Sequence, residues 1–201
     1  MQFDRLLTNA RLATMVPGGA AYGAIEGGAI GISGERIAWA GPVAEVPGEA
    51  AVTENMDGRW ITPALVDCHT HLVFAGDRSD EYERKLAGED YAAIARAGGG
   101  IRKTVEATRK AGAAELAAGA LSRLDAYALE GVGTVEIKSG YGLTHDSELA
   151  QLKAARGVGL ASGMRISATL LAAHTVPVEY EGRPGAYIDE VCIPLVREAA
   201  R

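Results

Sequence analysis

The sequence predicts an α/β protein in two parts: a small β region over residues 1–59 and, from residue 60, strands alternating with helices. Three observations carry that reading. The first part breaks into short apolar runs separated by glycine-rich turns. The second part alternates apolar runs with helical stretches, an order that implies parallel strands joined by crossovers. Its apolar runs end in reactive or polar residues: His69 and His71, then Lys138 and Tyr141, then His174. In parallel sheets chemistry collects at the carboxyl ends of the strands, so this coincidence points to an enzyme.

Composition bounds the rest. With 201 residues, 48% apolar and 23% charged, the chain reads as an ordinary globular protein able to bury a core. A formal charge of −6 and the lack of any Lys/Arg cluster argue against nucleic acid as a partner. Cys68 and Cys192 are too few for a disulfide framework, and neither belongs to a CxxC pair. The opening MQFDRLLTNARLATM lacks the basic segment and apolar core of a signal peptide, and no apolar run approaches a membrane span. The expected location is the cytoplasm.

In the β region, Ala29–Ile32 and Arg36–Ala40 are short strands between turns at Gly27-Gly28, Ser33-Gly34 and Gly41-Pro42. From Trp60 an apolar run with Ile61, Leu65 and Val66 breaks at Asp67. Residues 79–97 read as helix interrupted near Gly88, followed by a loop at 97–100. Helical composition resumes over 102–110 and 113–130, where Leu116, Leu124 and Ala128 share a face and Gly131 is the stop. A strand at Thr134–Ile137 leads into Lys138-Ser139-Gly140-Tyr141-Gly142. Asp146 is expected to cap a helix that ends around Gly157, and a strand over 165–173 to deliver His174 at its end. A final helix, irregular at its start, is expected over 185–201.

Strand side chains alternate faces, so His69 and His71 are expected to point the same way and to suit two neighbouring positions on one divalent metal. A catalytic zinc site takes about three protein ligands plus a water, so the pair is incomplete; the competing reading is two surface histidines. Read singly, Arg78 is a solvated arginine, Tyr141 a turn tyrosine and His174 a buried histidine bonded to backbone. His145 reads as structural and Cys68 as a packing residue facing away from the histidines. The glycines at 98–100 lack the spacing of a phosphate loop.

The run PALVDCHTHLVFAGDR (63–78) resembles the metal-binding first strand of the amidohydrolase superfamily. EIKSGYGL (136–143) and AAHTVPVEY (172–180) resemble the imidazolonepropionase family. So does the loop with Arg78, Tyr82 and the run at 97–101. The resemblance implies that residues 60–201 are the first part of a (β/α)8 TIM-like barrel of the metal-dependent hydrolase type, preceded by a small, incomplete β-sandwich-like domain over 1–59. It also implies hydrolytic ring opening of 4-imidazolone-5-propanoate to N-formimidoyl-L-glutamate, with one zinc or iron ion as cofactor. His69 and His71 match the family's metal ligands, and Arg78, Tyr141 and His174 its substrate-binding residues, with His174 donating to the ring oxygen. Lys138 is read as non-ligating. Family members are about twice this length, so the third histidine, the aspartate of the last strand and the catalytic acid/base groups are expected outside the chain. Two alternatives stand beside this one: a catalytically incomplete scaffold that needs a partner, and an amidohydrolase acting on another cyclic amide or a guanine-like ring. Open sheet edges add the expectation of a homodimer.

Overall fold

The computed structural model describes the backbone of residues 1–201 and all side chains except those of Tyr91 and Ala95. The chain divides into two units, Met1–Pro63 and Ala64–Arg201.

The first unit is one five-stranded sheet. Its central strand β1 (Gln2–Ala13) pairs antiparallel with β2 (Ala24–Ser33), which pairs antiparallel with β3 (Arg36–Pro42). On its other edge β1 takes β4 (Glu49–Asn55) and the short β5 (Trp60–Ile61), both parallel. Trp60 and Ile61, expected to open the second region, therefore belong here. The Gly27-Gly28 pair, expected as a turn, lies inside β2, where Gly27 at φ 60° sits at a register shift. This is a bulge and not a reversal, because β2 stays hydrogen-bonded to β1 on both sides of it. Ala10, Leu12 and Ile30 form the core of this unit.

The second unit begins with β6 (Leu65–Thr70), β7 (Val132–Lys138) and β8 (Arg165–Thr169), a three-stranded parallel sheet in that order. Between β6 and β7 run α1 (Ser79–Leu86), α2 (Tyr91–Arg96), α3 (Ile101–Lys110) and α4 (Ala113–Leu129), with the break near Gly88 where the composition places it. α5 (His145–Ser162) crosses from β7 to β8. Val135 and Ile137 of β7 pack with Leu116, Ala120 and Leu124 of α4 and with Ala154, Ala155 and Val158 of α5. α5 is capped by Thr144, whose hydroxyl accepts from the Ser147 N–H at 3.4 Å; Asp146 sits in the first turn instead, where its charge favours the helix N-terminus. The helix also runs past Gly157 to Ser162, because Ala154, Ala155 and Val158 keep it on the core through that position.

β8 is shorter than expected. Its ladder with β7 ends at the Lys138–Thr169 pair, and the next residues use side chains: the Leu171 N–H donates to Ser139 Oγ at 3.1 Å. With no partner strand past Lys138, residues 170–173 leave the sheet and His174 sits beyond the strand end. The final helix begins as α6 (Pro184–Tyr187), passes through a π-helical segment (Ile188–Cys192) and continues as α7 (Ile193–Ala199), stopping short of Arg201. Pro194 explains the irregularity, since it removes an N–H and crowds the carbonyl four residues back, and a π turn relieves both. Among the described residues no helix is long and apolar enough to cross a membrane.

Candidate active site

The residues singled out above lie in the last positions of β6 and β7, as His69 and Lys138 do, or in the loops that follow β6, β7 and β8. β6 ends at Thr70, whose hydroxyl donates to the Glu136 carbonyl at 2.7 Å, so His71 is the first residue past the strand. The His69 and His71 ring centroids stand 5.8 Å apart, edge to face. His71 stacks on His174 at 4.6 Å, with their planes 8° apart. Tyr141 lies 5.0 Å from His71 and 5.5 Å from His174. Beside this cluster is a cavity of about 590 Å³, bordered by Tyr141, Arg78, Glu81, Tyr82, Phe74 and Arg123. The structure thus brings His69, His71, Tyr141 and His174 into one cluster and places Arg78 on the cavity that Tyr141 shares.

Burial, followed by the neighbouring His174 and His69, lowers the His71 pKa to about 4, and the ring is neutral at ordinary pH. Among the described residues its Nδ1 is buried with no hydrogen-bond partner. A neutral imidazole with a spare ring nitrogen is the donor a divalent metal requires. Zn–N bonds of about 2.0–2.1 Å let one ion sit between two rings at the observed spacing. His69 and His71 therefore fit as two ligands. No group of three His, Cys, Asp or Glu suited to a metal occurs among the described residues, so the pair by itself would leave a coordination shell partial.

His174 directs Nδ1 at the Gly140 carbonyl, 3.0 Å away. A carbonyl only accepts, so Nδ1 holds the proton and Nε2 is the nitrogen left for a ligand. Burial also raises the Tyr141 hydroxyl pKa, against a smaller opposing effect from Arg78. The phenol stays protonated and is available as a donor.

No protein-family model matches the chain. It is 72% identical over 201 residues to an imidazolonepropionase of Maricaulis maris, a match covering 100% of this chain and 50% of that protein. An imidazolonepropionase of Acidiphilium cryptum is 57% identical over 203 residues, covering 99% of this chain and 50% of that one. By sequence, the chain is a relative of the imidazolonepropionases. It spans about half the length of the curated relatives it matches. Its fold is similar to that of a triazine hydrolase from Arthrobacter aurescens, with TM-score 0.54 and 21% identity over 83% of this chain and 35% of that one. It is also similar to an atrazine chlorohydrolase of Arthrobacter aurescens TC1 complexed with zinc, with TM-score 0.53 and 21% identity over 92% of this chain and 43% of that one.

In this imidazolonepropionase relative several site-building residues escape a reading of motifs. Glu81, 6% exposed, accepts from the Gly100 N–H at 3.0 and 3.1 Å and from Arg78 Nε at 2.9 Å. It thereby holds both the 98–100 loop and the guanidinium. Arg123 lies 3.6 Å over the Phe74 ring and donates to the Leu72 and Phe74 carbonyls at 2.9 and 3.3 Å. Glu148 and Gln151 of α5 are 0% and 1% exposed and hydrogen-bond the Gly140–Leu143 turn. The available signal was two polar residues in the 148-151-155-158 stripe, which is otherwise the buried face of the helix.

Lys138 donates to Glu136 at 2.6 Å, and Thr169 donates to the same carboxylate at 2.7 Å. His145 pairs with Glu198 at 2.9 Å, away from the cluster. Cys68 is exposed, contrary to the packing role expected for it, because β6 leaves that face uncovered together with Val66.

Replacing Glu81 with Ala leaves the Gly100 N–H without its acceptor and frees Arg78. Losing a buried acceptor costs about 1–3 kcal/mol, and thermal unfolding should show a Tm lowered by several degrees. An unchanged Tm would show that the carboxylate does not anchor the loop.

Proposed function

We propose that this chain carries the metal-binding and substrate-binding part of a metal-dependent cyclic amidohydrolase that opens 4-imidazolone-5-propanoate to N-formimidoyl-L-glutamate. The carrying observation is the meeting of His69, His71, Tyr141 and His174 at the ends of three parallel strands, with Arg78 on the adjoining cavity. The 72% identity to an imidazolonepropionase supplies the substrate class. Residues 64–201 are in this reading the first part of a (β/α)8 barrel.

His69 and His71 would hold the metal, zinc or iron, which when bound acidifies a water and polarises the carbonyl under attack. The chain's own residues bind and orient. Arg78 has Nε on Glu81, which leaves its terminal NH2 groups for the propionate carboxylate. Tyr141 donates its O–H to a polar atom of the ring. His174, with Nδ1–H taken by Gly140, accepts a ring N–H at Nε2 when neutral, and donates to the ring oxygen only as imidazolium. Net ring opening adds water across the C–N bond: hydroxyl goes to the acyl carbon and a proton to the departing nitrogen. A cytoplasmic homodimer belongs to the same proposal.

The test is a chimeric enzyme in which residues 1–201 replace the matching stretch of the Maricaulis maris relative. It should turn over 4-imidazolone-5-propanoate and leave guanine and unrelated cyclic amides untouched. A folded chimera with no turnover, or with a preference for another ring, overturns the proposal. In the same chimera Arg78→Met should raise KM about 10–100-fold, the equivalent of one lost charge-assisted contact. An unmoved KM would remove Arg78 from the site.

A further inference from the structure

Gln151 lies in the middle of α5, yet every hydrogen bond found for its side chain leaves the helix. Its Nε2 donates to the Val73 carbonyl at 3.0 Å, in the segment that follows β6 and His71. Its Oε1 accepts from the N–H groups of Gly140 and Tyr141 at 3.2 and 3.3 Å, in the turn that follows β7. The Gly140 carbonyl in turn receives His174 Nδ1 at 3.0 Å, from the segment that follows β8. One buried amide thus ties the loops after β6 and β7 directly, and the loop after β8 is joined to them through Gly140. One turn back, Glu148 Oε1 accepts from the Gly142 and Leu143 N–H groups at 2.8 and 2.7 Å. The pair therefore collects four consecutive N–H groups of a turn in which Leu143 is held at φ 54°, a conformation that L residues avoid. An apolar side chain such as that of Leu152 would serve α5 equally well if packing were the only demand.

We propose that Gln151, backed by Glu148, is the positioning residue of the substrate site. It sets the three strand-end loops in one register, so that Tyr141 and His174 stand ready beside His71 before any ligand arrives. The inference rests on the substrate-site reading above. Preorganisation of this kind removes an ordering cost that the ligand would otherwise bear.

The test uses the 201-residue chain and 3-(imidazol-4-yl)propanoate, a probe that keeps an azole ring and the propionate tail. Affinity is read by calorimetric titration and amide exchange at Gly140 and Tyr141 by NMR. Gln151→Leu removes both acceptor and donor. It should weaken binding by about tenfold or more and expose the two amides to exchange. Gln151→Glu keeps an acceptor for both N–H groups and, protonated in its buried site, a donor for Val73; its affinity should stay within about threefold of wild type.

Wild-type affinity in Gln151→Leu, or a Gln151→Glu variant that falls as far as Gln151→Leu, overturns the inference. If Gln151→Leu does not fold, Gln151→Glu decides alone: protection and affinity kept together support the inference, and loss of either or both overturns it. A wild-type chain that does not bind the probe overturns the substrate-site reading itself. Binding that depends on Arg78 but not on Gln151 leaves that reading standing and removes only the inference.

Discussion

His69→Ala in the chimeric enzyme is expected to lower kcat at least about a thousandfold, since the metal's contribution to the barrier is several kcal/mol and each 1.4 kcal/mol is about tenfold. Metal retained per chain, measured after gel filtration, should fall with it. His69, His71 and His174 cluster, yet no group of three suited to a metal occurs among the described residues, so in the proposed site each of His69 and His71 is a large share of what this chain would contribute. A site that loses one of two neighbouring donors has little left to hold an ion against the solvent. His145→Ala is the matched control, because that histidine pairs with Glu198 and lies outside the ring cluster. The two variants remove the same group from opposite circumstances. Equal loss of metal in both would mean that the ion binds elsewhere; full metal and full rate in His69→Ala would end its assignment as a ligand.

The strand ends were legible in the sequence because a parallel sheet exposes its chemistry there, and a short apolar run that stops at a histidine is visible without coordinates. His69 and His71 do come together, and Tyr141 and His174 join them. The helices between Ser79 and Leu129 were readable for a related reason, since glycine and composition punctuate them. What a one-dimensional pattern misses is the partner of an element. Residues 165–173 have strand composition throughout, yet β8 stops where β7 can no longer pair with it. Gly27-Gly28 has turn composition, yet its neighbours are fixed in a ladder with β1. In both cases tertiary pairing overrode local preference.

The supporting residues were harder to see for another reason. Glu81, Glu148 and Gln151 carry no motif, and each is an ordinary surface residue type. Their role follows from burial: an N–H turned inward at Gly100, or at Gly140 to Leu143, must find an acceptor, and these side chains are the ones that reach. The tautomer of His174 likewise comes from the Gly140 carbonyl facing it, and it changes which group that histidine offers a ligand. Sequence located the residue, and only its neighbour says what it can do.

Gly140→Ala is the second change expected to act strongly, and it should damage the site and the fold together. Gly140 has φ 120°, where an L residue is strained, and a Cβ there would lie 2.8 Å from His174 Nδ1 and 2.9 Å from His174 Cβ. Rotation of the ring relieves the contact with Nδ1, but the contact with Cβ requires the backbone of one loop to move. Either movement breaks the bond from His174 Nδ1 to the Gly140 carbonyl and lifts His174 off His71. Strain and lost contacts together should cost about 2–4 kcal/mol of stability. Probe affinity in the 201-residue chain should fall by about tenfold or more. Gly157→Ala separates this effect from any general dislike of alanine. A Cβ at Gly157 meets nothing within 4 Å, and the position is an exposed helical one, so this change should stabilise the chain by about 0.5–1 kcal/mol. Urea unfolding of the two variants gives opposite signs if the close approach at Gly140 is real. A Gly140→Ala chain as stable as wild type and still binding the probe would mean that His174 is not held against the Gly140 turn.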